Sequence, residues 1–275
     1  MAREDPLSPA LLHSLAELAN DLADAAGKAA LRHFRASRLR TENKAGAGDF
    51  DPVTAADREA ESAMREILGR TRGDDGIFGE EHGQSTGKSG LTWVLDPIDG
   101  TRAFISGLPS WGILIALDDG TSGRIGVIDQ PFTGERFVGV AGDGAWLTHG
   151  GETRSISTRA CRNLSQATLM TTAPELFNAD ERTAFDGISA GAQLTRYGTD
   201  CYAYAMLAMG QIDLVIESGL EAYDIAAPAA LIQAAGGRVT DWQGGDCRWG
   251  GRVLAAGDPE LHEIMLEILR EVPSA

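Results

Sequence analysis

Leucines 11, 15, 18 and 22, continued by Ala29, Ala30 and Phe34, recur at helical spacing behind Ser8-Pro9, an N-cap followed by proline in the first turn. This stripe predicts a helix ending before Asn43-Lys44. Residues 44–50 are glycine-rich and read as a loop, either a plain linker or a lid. Thr54 or Asp57 then starts a second helix with Ala60, Met64, Ile67 and Leu68 on its apolar face. Shorter apolar runs follow. Residues 76–79 form a strand ending on Glu80-Glu81, and Trp93-Val94-Leu95 forms another. Pro97 cannot continue a central strand and Gly100 opens a tight turn, so the chain is expected to bend at Asp96 and Asp99, with Thr101 capping a helix. Residues 112–117, 123–130 and 135–141 read as an antiparallel meander, turning at Asp118-Asp119-Gly120 and Thr133-Gly134.

Beyond residue 150 the pattern changes to α/β alternation. Strands are expected at 167–171, 193–197, 212–216, 238–240 and 253–255. Helices are expected near 180–189, at 199–209 and at 224–235, the last ending on Gly236-Gly237. A final helix starts at Asp258-Pro259 and carries Leu261, Ile264, Met265, Ile268 and Leu269. Nothing reads as a linker near 150, so residues 1–275 are expected to form one compact domain, an α+β half over about 8–150 and an α/β half over about 151–272.

Composition narrows the partners. The chain has 275 residues, 43% of them apolar and 6% aromatic, enough for a core of Ala, Leu, Ile and Val. A net charge of −16 argues against nucleic acid or an anionic membrane surface as partner. Cys161, Cys201 and Cys247 have neither zinc-type spacing nor a disulfide framework and are expected as reduced thiols. The start MAREDPLSPALL is not a signal peptide, so a cytoplasmic location is expected.

Acidic residues gather where elements meet: Asp51 before a helix, Glu80-Glu81 at a strand end, Asp96 and Asp99 on the bend, and Asp224 at a helix start. Asp-Pro and Asp-Gly are also ordinary turn chemistry, so one such site alone decides nothing. Together they are hard oxygen ligands without His or Cys, a set that suits Mg²⁺ better than zinc or copper. Two or three close Mg²⁺ ions can clamp a phosphate ester.

In order, Asp51-Pro52-Val53-Thr54-Ala55-Ala56-Asp57, Gly79-Glu80-Glu81, Trp93-Val94-Leu95-Asp96-Pro97-Ile98-Asp99-Gly100-Thr101 and Tyr223-Asp224-Ile225-Ala226-Ala227 resemble the signatures of the inositol monophosphatase superfamily of Mg²⁺-dependent phosphatases. The resemblance covers nearly the whole chain. It implies a layered α/β/α/β/α sandwich of the inositol monophosphatase and fructose-1,6-bisphosphatase type, a homodimer, and a small phosphorylated metabolite as substrate. It also implies two to three Mg²⁺ ions: Glu80, Asp96 and the Ile98 carbonyl for the first, Asp96, Asp99 and Asp224 for the second, and Glu80 for a weaker third. Thr101, with Glu80 and Asp51, would position and deprotonate the attacking water. Lys44 would stand near the metals on its loop, and the Gly100 and Thr101 backbone N–H groups would hold the phosphate.

Selectivity must come from the alcohol side. Tyr223 stands where the family usually has tryptophan, which weakens an inositol assignment. Residues 198–224 and 101–117 resemble the histidinol-phosphate phosphatase branch. Asp200 occupies a place that is small and neutral in inositol-type enzymes, and Glu217 matches a substrate-contacting position. Two added carboxylates would favour a substrate carrying an amine and an imidazole. Asp200 has a plainer alternative as the cap of the helix after Thr199. The competing functions are a broad sugar or inositol phosphatase, a 3′-phosphonucleotide phosphatase, and a non-catalytic Mg²⁺-binding scaffold.

Overall fold

The computed structural model describes residues 7–36, 41–43 and 52–273, with the backbone alone at 41–43 and 52–54. Lys44, Asp51 and the 44–50 loop lie outside the described residues. Five layers stack. The outer layer is α1 (Pro9–Leu31) and α2 (Ala55–Thr71), which pack on each other and on a large sheet. A short antiparallel pair, β1 (Thr41–Asn43) with β2 (Pro52–Thr54), enters α2 directly; the sequence reading had not placed it.

The helical stripe of α1 is the one expected at Leu15, Leu22, Ala29 and Ala30, and it is broader on one side. Its buried face is Leu12, Leu15, Ala19, Leu22, Ala23 and Ala26, whereas Leu11 is exposed and Leu18 half-buried. Alanines interleave with the leucines on that face and let the helix sit close to the sheet. The helix also stops at Leu31, and Phe34 is buried beyond it against Phe104 and Trp111.

The large sheet comprises β3 (Gly76–Gly79), β4 (Gly83–Ser85), β5 (Thr92–Asp99), β6 (Gly112–Asp118), β7 (Gly123–Gln130), β8 (Glu135–Val140), β9 (Gly144–His149) and β10 (Glu152–Ile156). Its order is β10-β9-β8-β7-β6-β5-β3-β4, antiparallel except for β3 beside β5. The expected meander is present and continues through β9 and β10. Both faces are covered, as β6 demonstrates: Ile113, Ile115 and Leu117 enter the core under α1, while Leu114 and Ala116 enter the core on the far side.

That far side holds the middle helices, α5 (Cys201–Ala208) and α6 (Ala222–Ala234). A side chain on Gly126 would place its Cβ 2.2 Å from the Ala227 carbonyl oxygen, so glycine there lets α6 lie directly on β7. The second sheet follows: β11 (Thr168–Thr171), β12 (Leu194–Tyr197), β13 (Leu214–Glu221), β14 (Arg238–Thr240) and β15 (Gly250–Ala256), in the order β12-β11-β13-β15-β14. The last layer is α4 (Ala179–Gly191) and α7 (Pro259–Leu269), whose Phe185, Ile188, Leu261 and Met265 close a third core. The chain is therefore the α/β/α/β/α sandwich expected. Among the described residues no helix is long and apolar enough to cross a membrane.

Candidate active site

The strand before the first acidic pair does not stop at Pro97. β5 runs to Asp99, and its pairing with β6 slips between Asp96, opposite Leu114, and Asp99, opposite Gly112. This irregularity absorbs the proline, which a regular central ladder could not, and re-aims the side chains around it. The bend expected there is thus a bulge within a strand. Asp96 Oδ1 accepts the Ile98 N–H at 3.0 Å, which closes the local turn.

Thr101 is not the helix cap. Gly100, at φ 79°, occupies the cap of α3 (Thr101–Ile105), and the Thr101 hydroxyl donates back to the Ile98 carbonyl at 3.2 Å. A left-handed residue is needed at that corner, and glycine supplies it at no steric cost. The threonine is thereby turned toward the carboxylates.

Asp224 comes in from the middle helical layer, just after β13 ends at Glu221. α6 begins at Ala222, two residues earlier than expected, and Asp224 sits in its first turn with Oδ2 accepting the Glu221 N–H at 2.7 Å. Asp99 Oδ2 accepts the Cys201 N–H at 2.7 Å. One oxygen of each carboxylate is therefore anchored to backbone. Asp96, Asp99 and Asp224 each bring a carboxylate oxygen within 4.8 Å of the others.

These three, with Glu80, Ile98, Gly100, Thr101 and Asp200, line one cleft of about 260 Å³. Burial is the largest cause that lifts the Asp96 carboxyl well above its ordinary range, followed by repulsion from Glu80, Asp99, Asp224 and Asp57. Burial and then Asp200 and Asp224 lift Asp99, against the opposing bond from Cys201. Burial raises Asp224 to about 6. Buried carboxylates that repel one another call for a compensating cation, and an all-oxygen set of this kind fits a hard divalent ion.

Asp200 is also placed in the cleft. It stands at the cap position of α5 but makes no side-chain capping bond, so the plainer role does not hold. Its φ of 45° and ψ of −140° are rare for a non-glycine residue, and its carboxylate lies over Gly100. Burial raises it to about 6, opposed by the charge of Arg102. Glu217 does not line the cleft. It is 2% exposed, and it accepts the Thr172 N–H at 2.7 Å and the hydroxyls of Thr172 at 2.9 Å and Thr171 at 3.2 Å. Thr172, not Glu217, reaches the cleft wall. The expected direct contact is replaced by an indirect one, because β13 buries Glu217 behind β11.

Tyr223 lies on the rim, edge-on to Phe78 with ring centroids 6.2 Å apart. Arg102, Thr172 and Leu176 also line the cleft without having been singled out. Arg102 had a signal in following Thr101 directly; Thr172 and Leu176 carry none.

A cleft of converging buried carboxylates beside a threonine is the equipment of a metal-assisted phosphate ester hydrolase. The family model for the inositol monophosphatase family matches residues 11–274. The chain belongs to that family, and is a phosphatase of its type. A bifunctional phosphatase, IMPL2, of Arabidopsis thaliana chloroplasts is 42% identical over 98% of this chain and 79% of its own. A histidinol-phosphatase of Chlorobaculum parvum is 34% identical over 83% of this chain and 86% of its own. A solved inositol monophosphatase from Zymomonas mobilis superposes with a TM-score of 0.81 at 44% identity, covering 94% of this chain and 98% of that one.

Proposed function

We propose that this protein hydrolyses histidinol phosphate to histidinol and phosphate, as one catalytic unit dependent on Mg²⁺. The observation that carries the reading is the placement of Asp200 in the same cleft as Asp96, Asp99 and Asp224. Asp96, Asp99, Asp224, Glu80 and the Ile98 carbonyl would hold two to three Mg²⁺ ions. Bound there, the ions would supply an acidified water and neutralise charge on the phosphate.

The chain's own residues divide the remaining work. Glu80 and Thr101, together with Asp51, orient the water, and a carboxylate of this set, Glu80 or Asp51, receives its proton. The Thr101 hydroxyl, donating to Ile98, presents its oxygen as an acceptor toward the cleft. Backbone N–H groups of Gly100 and Thr101 take the phosphate oxygens, and Lys44 adds positive charge. Asp200 receives the substrate's ammonium or imidazolium by a charge-assisted bond, on a wall completed by Thr172 with Glu217 behind it. A cation on the substrate would hold Asp200 ionised although burial favours its neutral form. The working form is taken to be a cytoplasmic homodimer.

The alternative is an inositol-1-phosphate or broad sugar-phosphate phosphatase, favoured by the 44% identity to the Zymomonas mobilis enzyme. Measuring kcat/KM on histidinol phosphate and inositol 1-phosphate side by side separates them. The proposal expects at least about a tenfold preference for histidinol phosphate, the worth of one charged contact of about 1.5 kcal/mol. Faster turnover of the inositol ester would assign the alternative.

A further inference from the structure

Glu61 is a carboxylate on the wrong face of its helix. It shares the buried stripe of α2 with Ala60, Met64 and Leu68 and is 0% exposed. Its Oε2 accepts the Glu81 N–H at 2.6 Å, and its Oε1 accepts the His82 N–H at 3.2 Å. Arg65, one turn on, donates to Oε1 at 2.6 Å and also to the Gly83 carbonyl. The whole turn from β3 to β4 is thus tied to α2 from beneath. The fit leaves no slack, since a Cβ on Gly79 would fall 2.1 Å from Glu61 Oε1.

Glu80 is the first residue of this turn, directly after Gly79. Its own N–H bonds the Leu95 carbonyl at 3.2 Å, immediately before Asp96 on β5. The peptide on one side of Glu80 is therefore fixed to the strand that carries Asp96, and the peptide on the other side is fixed to Glu61. A backbone held at both flanks leaves only side-chain rotation to define where the Glu80 carboxylate stands in the cleft.

We propose that Glu61 is a positioning residue, whose buried carboxylate fixes the Glu80 backbone and thereby sets the cleft's affinity for its divalent cation. This rests on the proposed Mg²⁺ site. A buried charge is costly unless paired, and here Arg65 and two backbone N–H groups pair it. The benefit is that an acidic cleft residue is preorganised before any cation arrives.

The test is calorimetric titration with Mg²⁺ alone, on wild type, Glu61→Gln and Arg65→Lys, with thermal melts alongside. Asp213→Asn serves as a matched control. Asp213 is also buried, accepts two bonds from Arg159 and one from the Thr168 N–H, and lies outside the cleft. Glu61→Gln is expected to weaken Mg²⁺ binding by about 10-fold, the lower end for partners that orient a ligand, and Arg65→Lys by less. Phosphatase activity of Glu61→Gln should return toward the wild-type kcat as Mg²⁺ is raised. Asp213→Asn should melt earlier with unchanged Mg²⁺ affinity. Should Glu61→Gln not fold, Arg65→Lys decides by the same readout. Unchanged affinity in the folded variants would overturn the positioning role alone, whereas a wild type that binds no Mg²⁺ would overturn the metal reading and this inference together.

Discussion

The backbone N–H of Cys201 donates to Asp99 Oδ2 at 2.7 Å, joining residues 102 apart in the chain. This bond ties the start of α5 to the bulged end of β5. It also leaves Asp200, one residue earlier, at a positive φ of 45° with its side chain against Gly100. The carboxylate that would select the substrate and one that would hold the cation are thus set by a single contact.

Asp200 should therefore be removable at no cost to the fold. Both Asp200→Gly and Asp200→Ala remove a repulsion on Asp99, but only glycine suits the positive φ, so Asp200→Gly is expected to melt higher than Asp200→Ala by the equivalent of about 1 kcal/mol. Both variants should lose about one to two powers of ten in kcat/KM on histidinol phosphate, with little change on an uncharged sugar phosphate. Equal losses on the two substrates would remove Asp200 from substrate recognition.

Thr101→Ala separates two roles for one hydroxyl. If Thr101 serves the attacking water, turnover should fall roughly 10²-fold with Mg²⁺ affinity retained. If its bond to the Ile98 carbonyl matters only for presenting that oxygen, Mg²⁺ affinity should fall instead. Calorimetric titration beside steady-state kinetics tells these apart, and the first outcome is expected.

Glu217 gives a pH signature. Burial raises its carboxyl to about 7 from 4.5, partly offset by the bonds from Thr172 and Thr171. A raised folded-state value means that its contribution is fully present below about 4.5 and is lost as pH climbs through about 7. Wild-type stability relative to Glu217→Gln should therefore fall by roughly 3 kcal/mol between these limits. Denaturant melts of both proteins at pH 5 and pH 8 measure it; a difference that stays constant with pH contradicts the assigned burial.

The sequence was most legible where chemistry is local. Asp96, Asp99, Gly100 and Thr101 lie within six residues, so their convergence follows from one bend, although it is made by a strand bulge and not by a strand end. The meander was legible from its turns, and the α/β alternation from its change of period. What could not be read was contact between distant segments. Whether Asp200 caps its helix or turns into the cleft depends on Asp99, and whether Glu217 reaches substrate depends on Thr171 and Thr172. Glu61 did leave a trace: it falls on the stripe of Ala60, Met64 and Leu68, where a carboxylate must find partners. In α1 the stripe was legible through Leu15, Leu22, Ala29, Ala30 and Phe34, which are buried, and failed only at its edge, where Leu11 is exposed and Leu12 is buried in its place.

The central claim is that Asp96, Asp99 and Asp224 form the hydrolytic centre through a shared divalent cation. Asp96 is the most enclosed of the three, and four carboxylates raise its pKa further. Asp96→Asn keeps its shape and removes its charge. The direct measurement is phosphate release from histidinol phosphate by wild type and Asp96→Asn, each with Mg²⁺ and with a chelator. The account predicts release by wild type with Mg²⁺, and loss of at least about 10²-fold on chelation or in Asp96→Asn, the scale of removing an electrostatic stabiliser. Undiminished release in the chelator, or by Asp96→Asn in Mg²⁺, would contradict it.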